Sequence, residues 1–216
     1  MIKIALPKGE VLESVADFLA GKGLVFSGYK KDARAYGSSA RGKESLFSKQ
    51  FREKDIPIQV SIGNYDLGLC GSQWLREYMT RYPRADILNL RPLAIPEGEV
   101  VVCCSGKESG GEPGEILARM AARGPIRIAT EFPALAERFA LAGRLPDFRI
   151  FPLWGAAEAY PPEGAELALL CVSGKNFIPA NNLKVLETLF PAQVNLIANT
   201  NLFEQKDLTP VLEKMI

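Results

Sequence analysis

The 216-residue chain contains no histidine. That absence removes imidazole general bases, histidine-activated nucleophiles and histidine-ligated metals together. Long apolar runs are missing too: no stretch reaches the roughly 18 residues of a transmembrane helix. An excess of either charge is also lacking, with 26 Lys and Arg against 25 Asp and Glu and a formal net charge of +1. Near neutrality gives no support for nucleic-acid or membrane binding. Cysteine is sparse. Cys70, Cys103, Cys104 and Cys171 each lie in or beside an apolar, strand-like run without metal-ligand spacing. They are expected to be buried thiols of a reducing compartment, and no protein-held metal is expected. The opening MIKIALPKGE lacks a secretory leader's long apolar core and cleavage site, so the expected location is the cytoplasm.

What the chain does contain is alternation. At 47% hydrophobic, its length suffices for one or two domains with a sizeable core. A strand over residues 2–6 passes through Pro7-Lys8-Gly9 into a helix over 11–20, with Val11, Leu12, Val15, Phe18 and Leu19 on its buried face. Residues 27–48, rich in Gly, Ser, Lys and Arg, read as a basic loop or irregular hairpin. Asp55-Ile56-Pro57 starts a short helix that Gly63 ends. Residues 65–71 read as a buried strand, followed by a helix face of Trp74, Leu75, Tyr78 and Met79. Further strands are expected at 87–93, 99–104, 126–129, 148–153, 167–172 and 194–198, with helices at 116–122, 130–142, 154–160 and 207–215. Such alternation predicts an α/β fold with largely parallel sheets.

Two places suit an anion. The apolar run 167–172 turns through Ser173, Gly174, Lys175 and Asn176. A helix pattern follows, with Asn181 or Asn182 as N-cap and Leu183, Leu186 and Leu189 on one face. Backbone N–H groups in a strand–turn–helix loop point at a bound phosphate, and the helix dipole adds to the attraction. The alternative is an ordinary βα loop with a glycine for chain reversal. Lys8 and Gly9 sit at the carboxyl end of the first strand, where ligands bind in open α/β sheets. There the choice lies between a phosphate-holding lysine and a solvated one.

The order of these pieces resembles the short form of ATP phosphoribosyltransferase, the catalytic-subunit family of the first step of histidine biosynthesis. Residues 4–9 resemble its opening strand and loop. Arg52, Asp55-Ile56-Pro57, Gly63, Asp66-Leu67-Gly68 and Gly71 follow its next motif. Arg127-Ile128-Ala129-Thr130 with Pro133, Leu135 and Phe139 follow a third, and Gly155, Glu158 and Pro161 a fourth. Residues 166–183 lie where the family has its loop for phosphoribosyl pyrophosphate (PRPP), and 195–199 resemble its returning strand.

The resemblance implies two α/β lobes with a ligand cleft between them, similar to type II periplasmic binding proteins. The first lobe would hold 1–95 and 188–216, the second 96–187. It implies a glycosyltransferase joining ATP and PRPP to give phosphoribosyl-ATP and pyrophosphate, with Mg2+ arriving on PRPP. It also implies a homo-oligomer and a histidyl-tRNA-synthetase-like regulatory subunit. The implied substrate-binding residues are Lys8, Gly9, Asp66, Gly71, Glu158, Ser173, Gly174, Lys175 and Asn176; no catalytic residue is implied.

Departures from the family fall on charged and phosphate-contacting positions. Leu170 and Gly174 stand at an Asp and a Thr, Lys175 at a Gly, and Pro179 at an Arg. Glu10 also replaces an Arg, Gln73 an Asp, and residues 96–99 an Arg-bearing turn. Val172, Ser173, Ala180, Asn181 and Leu183 keep the loop pattern. The competing expectation is therefore a repurposed or inactive paralogue that binds a nucleotide, sugar phosphate or other small anion.

Overall fold

A computed structural model describes residues 1–31, 37–39 (backbone only), 46–174 and 176–215. In chain order its elements are β1 (Ile2–Lys8), α1 (Leu12–Gly21), β2 (Gly37–Ser39), β3 (Leu46–Arg52), α2 (Ile56–Ser61), β4 (Leu67–Gly71), α3 (Ser72–Arg81) and β5 (Ile87–Ser105). There follow α4 (Pro113–Ala121), β6 (Ile126–Thr130), α5 (Pro133–Ala142), β7 (Phe148–Pro152), β8 (Leu167–Val172), α6 (Phe177–Ala180), β9 (Leu183–Asn199), α7 (Thr200–Gln205) and α8 (Thr209–Met215). They build two compact units, Met1–Pro96 with Gln193–Ile216, and Glu97–Ala192.

In the first unit β3, β1 and β4 run parallel, β2 pairs antiparallel with β3, and β9 antiparallel with β4 from Leu67↔Ala198 to Gly71↔Val194. Ile4, Ala5 and Leu6 are all fully buried, as a strand covered on both faces requires. One face packs Ile4, Leu6, Leu67 and Leu69 against Val15 and Leu19 of α1 and Val211 and Met215 of α8. The other sets Ala5, Cys70 and Ile197 against Ile56 and Val60 of α2 and Leu75 of α3. Gly68 makes that second face possible. A Cβ there would lie 2.8 Å from both Ile56 and Val60, closer than side-chain atoms approach. Asn199 fastens the end of β9: its Oδ1 accepts from Leu202 N at 2.9 Å, capping α7. Its Nδ2 donates to the carbonyls of Val60 at 2.8 Å and Ser61 at 3.1 Å.

In the second unit the strand order is β5-β8-β6-β7. β8, β6 and β7 are parallel, and β5 is antiparallel to β8. Val101, Cys103, Ala129, Ala168, Leu170 and Leu183 form one core cluster with Ala157. α4 begins with a capping box between Glu112 and Glu115, with Pro113 in its first turn, an arrangement that satisfies two otherwise orphaned amides. The cysteines are unbridged; Cys70, Cys103 and Cys104 are buried and Cys171 half-buried. Burial, and secondarily the neighbouring Cys104, push the Cys103 thiol up to about 12. Among the described residues no helix is long and apolar enough to cross a membrane.

Four expectations from the sequence need correction. The segment read as a helix through Leu183, Leu186 and Leu189 is the strand β9, and the helix before it, α6, has only four residues. Apolar spacing alone did not decide it: Val185, Thr188, Val194 and Ile197 favour a strand, and Pro191 forbids a helix running on. The sheets are mixed rather than largely parallel. β5 and β9, read as ordinary members of an alternating series, run against β8 and β4, and β2 runs against β3; strand direction follows from pairing, which apolar patterning does not record. Finally, residues 87–93 and 99–104 belong to the single strand β5, and β3 begins within the stretch read as a basic loop, half of which is outside the described residues.

The start of β6 is clamped to the start of β8. Arg127 meets Glu166 through Nε at 3.0 Å and Nη2 at 2.7 Å, and Arg127 N donates to Glu166 Oε2 at 2.7 Å. Burial raises the Glu166 carboxyl, but the hydrogen bonds and charge of Arg127 outweigh it and hold the group below the usual range. A carboxyl depressed in the folded state adds stability that is complete above its unfolded pKa, about 4.3, and is lost as pH falls through the folded value. Urea unfolding followed from about pH 6 to about pH 3 is expected to show a loss that Glu166→Gln lacks. Parallel pH profiles would show that the clamp contributes nothing.

Candidate functional site

In both units the carboxyl ends of the parallel strands collect polar groups that the strand interiors exclude. In the first unit Lys8 pairs with Arg52 across β1 and β3. The β1–β4 register, Ile4↔Leu67, brings Gly71 level with Lys8. Adjacent strands lie about 4.8 Å apart, so Lys8 and Arg52 form a two-cation edge. Arg52 is exposed, and its side chain makes no ion pair or hydrogen bond to a described residue. Gly71 N donates to Glu53 Oε1 at 2.8 Å, and Gly9 begins the turn into α1 with φ +100°. Tyr29 Oη donates to Pro7 O at 2.7 Å, fixing the backbone just before Lys8. Burial, and then the charge of Glu53, push the Tyr29 phenol well above its ordinary range, which keeps it a donor.

Asp66 does not join this group. The same register puts it level with Lys3, five residues and roughly 16 Å down the strand from Lys8. Asp66 is buried, and both oxygens are occupied: Oδ2 accepts from Lys3 N at 2.7 Å and Oδ1 meets Lys206 Nζ at 2.6 Å. Its place is structural, tying β1 and β4 to the segment between α7 and α8.

In the second unit the turns after β7 and β8 leave the same edge. Ser173 and Gly174 follow β8 directly, and Gly174 takes φ +82°, a conformation that suits glycine. Ser173, Gly174 and Asn176 are exposed and line a shallow groove of about 410 Å³ with Phe177, Ala180 and Asn181. The amides of Ser173, Gly174 and Asn176 donate to no group among the described residues. Such a row of N–H groups receives an anion. Lys175 lies outside the described residues. With only four residues in α6, the turn lacks the helix dipole that the sequence pattern promised, and its attraction for anions rests on the amides.

Glu158 is half-buried in a short 3-10 turn, Ala157–Ala159, whose Ala157 packs in one cluster with Leu170. That packing carries Glu158 to the strands whose ends hold the Ser173 turn. Thr130 closes β6 on the same edge; its Oγ1 donates to Leu169 O at 2.8 Å and accepts from Phe132 N at 2.8 Å. Arg52 was missed as a candidate site residue. Arg52 was legible only as part of a motif, since its level with Lys8 follows from strand register. The helix expected over 154–160 is absent: Trp154 is 87% exposed in the turn after β7, and only Ala157–Ala159 coil, as a 3-10 turn. Among the described residues no group of three or more Cys, Asp or Glu is arranged to hold a metal.

The family model for ATP phosphoribosyltransferase matches residues 52–216. An ATP phosphoribosyltransferase of Thermotoga petrophila is 27% identical over 218 residues, covering all of this chain and 93% of that one. One from Chlorobium phaeobacteroides is 26% identical, covering 92% of this chain and 64% of its own length. Among solved structures, the ATP phosphoribosyl transferase (HisG:HisZ) complex from Thermotoga maritima aligns over all of this chain and 96% of that one, with TM-score 0.76 and 23% identity. The alkanesulfonate-binding protein from Xanthomonas axonopodis pv. citri aligns over 99% of this chain and 71% of that one, with TM-score 0.58 and 13% identity. These likenesses give the two units a type II periplasmic-binding-protein-like fold.

Removing the Asp66 carboxylate tests its structural assignment. Asp66→Ala leaves Lys206 and the Lys3 amide without their buried partner and is expected to cost about 3 kcal/mol in denaturant unfolding. Anion affinity at the Ser173 turn should not change. Unchanged stability with weakened anion binding would return Asp66 to the substrate site.

Proposed function

Because the chain belongs to the ATP phosphoribosyltransferase family, we propose that it joins ATP and PRPP to give phosphoribosyl-ATP and pyrophosphate. The observation that carries this reading is the turn at Ser173, Gly174 and Asn176, whose amides lack protein acceptors among the described residues. In the family's reaction, adenine N1 attacks the anomeric carbon of PRPP and pyrophosphate leaves with Mg2+. Little covalent help is needed: two polyanions must be held in line, and charge on the leaving group must be stabilised. A chain without histidine is suited to that task. The Ser173 turn, with Lys175 adding a point charge, receives the PRPP phosphates. Glu158 is the carboxylate for the ribose hydroxyls. Lys8 and Arg52 supply positive charge to the second polyanion, with Gly9 and Gly71 at the same strand ends. Mg2+ enters as part of the PRPP substrate. The Thermotoga maritima relative was solved as a two-component complex; we extend to this chain a histidyl-tRNA-synthetase-like regulatory subunit, and with it a homo-oligomeric, cytoplasmic enzyme.

A second reading has its own observation. Leu170, at the family's second acidic position, is buried with Ala157 and Leu183, and Pro179 is exposed where the family has an Arg. Each lost charge-assisted contact costs on the order of 1.5–3 kcal/mol, and two would weaken PRPP binding by roughly 10² to 10⁴-fold. That supports a repurposed paralogue holding a nucleotide, sugar phosphate or other small anion at the same turn. Calorimetric titration with PRPP and Mg2+ separates the two. The enzyme reading expects micromolar binding that collapses in Lys175→Ala. A folded protein that binds no PRPP at millimolar concentration would leave only the paralogue.

A further inference from the structure

The second unit has another polar concavity, at the opposite ends of its strands. A cavity of about 480 Å³ opens where β6, β7 and β8 begin, lined by Arg123, Arg127, Arg149, Glu108 and Glu166 with Met120 and Pro162 among its apolar walls. Its volume lies in the range of small-molecule sites, roughly 300–1,000 Å³. It is separate from the anion turn. Arg127 precedes Thr130 by three residues on β6, about 10 Å, and Glu166 precedes Ser173 by seven residues, about 20 Å, along strands that point the other way.

The charges in this cavity are unevenly matched. Arg127 is taken up by Glu166, and Arg123 Nη1 meets Glu108 at 3.1 Å. Arg149 pairs directly with Arg127 across β6 and β7, so two guanidiniums stand side by side on neighbouring parallel strands. The Arg149 side chain makes no ion pair or hydrogen bond to a described residue. Three guanidiniums face two carboxylates, which leaves one positive charge and one unfilled fork. A guanidinium fork matches phosphate oxygens bidentately. A phosphate monoester has three terminal oxygens, enough to meet Arg149 and still reach the outer N–H groups of Arg123 or Arg127. A carboxylate has two. The apolar walls suit an organic group beside the phosphate.

We propose that this cavity is a second small-molecule site, for an organic phosphate monoester gripped by Arg149, with the partnered Arg123 and Arg127 in the same lining. It does not depend on the reaction assigned to the other edge of the unit. Arg149 is exposed and outside the core, so substitutions there leave the fold intact. The test is a two-dimensional amide NMR titration of the full chain with phenyl phosphate. Gly124 reports on the cavity and Gly174 on the anion turn. Saturable shifts at Gly124 are expected, with affinity at least tenfold weaker in Arg149→Gln and intermediate in Arg149→Lys, which keeps the charge but not the fork. Absence of shifts at Gly124, or equal affinity in Arg149→Gln, would overturn the site. Benzoate binding at Gly124 as tightly as phenyl phosphate would overturn the phosphate assignment.

Discussion

Burial of the central strands on both faces is the constraint from which the rest follows. β1, β4 and β8 carry runs such as Ile4-Ala5-Leu6 and Leu167-Ala168-Leu169 whose residues are fully buried. Unpaired polar groups inside such strands cost several kcal/mol. Thr130 is admitted at the end of β6 with its hydroxyl both donating and accepting. Asp66, just before β4, has each oxygen engaged. Polar groups without protein partners therefore gather at the strand ends, where water or a ligand meets them.

The two ends of each set of parallel strands differ in how far their charges are neutralised. At the amino ends, charges are spent on structure: Asp66 with Lys206 in one unit, Arg127 with Glu166 in the other. At the carboxyl ends the exposed Arg52 side chain has no partner among the described residues in one unit, and the amides of the Ser173 turn have no protein acceptor among them in the other. This is the side on which open α/β sheets bind ligands. The family's chemistry asks for that equipment, because its barrier is lowered by holding phosphates rather than by a nucleophilic side chain. Arg149 is the exception at an amino end, a cation left unmatched beside a matched pair.

Legibility in the sequence tracked how local each signal was. β1, β4 and β6 were plain because strands buried on both faces read as short apolar runs between turn residues. α1, α3 and α5 were plain from their apolar spacing, and Pro57 and Gly63 bracketed α2. β9 failed because Leu183, Leu186 and Leu189 satisfy a helical period as well as a strand's mixed burial, and only pairing decides between them. β3 failed because Ser48, Lys49 and Gln50 break its apolar pattern. For the site, the Ser173 turn and Lys8 announced themselves by position after a strand. Asp66 was grouped with the substrate residues from a motif, which records that an acid is present and not which end of the strand it occupies or which partners fill its oxygens. Arg52 needed the register of β1 and β3, which does not exist before the chain folds.

The account's central claim is that carboxyl-end amides and cations, without histidine, suffice for phosphoribosyl transfer to ATP. The most direct measurement is pyrophosphate release from ATP and PRPP with Mg2+, made on the full chain alone and with a histidyl-tRNA-synthetase-like subunit added. The account predicts release that requires both substrates, yields phosphoribosyl-ATP in equal amount, and falls by at least about tenfold in Lys8→Ala, a loss of roughly 1.4 kcal/mol in transition-state stabilisation. No release from the folded chain, with or without the added subunit, would contradict it.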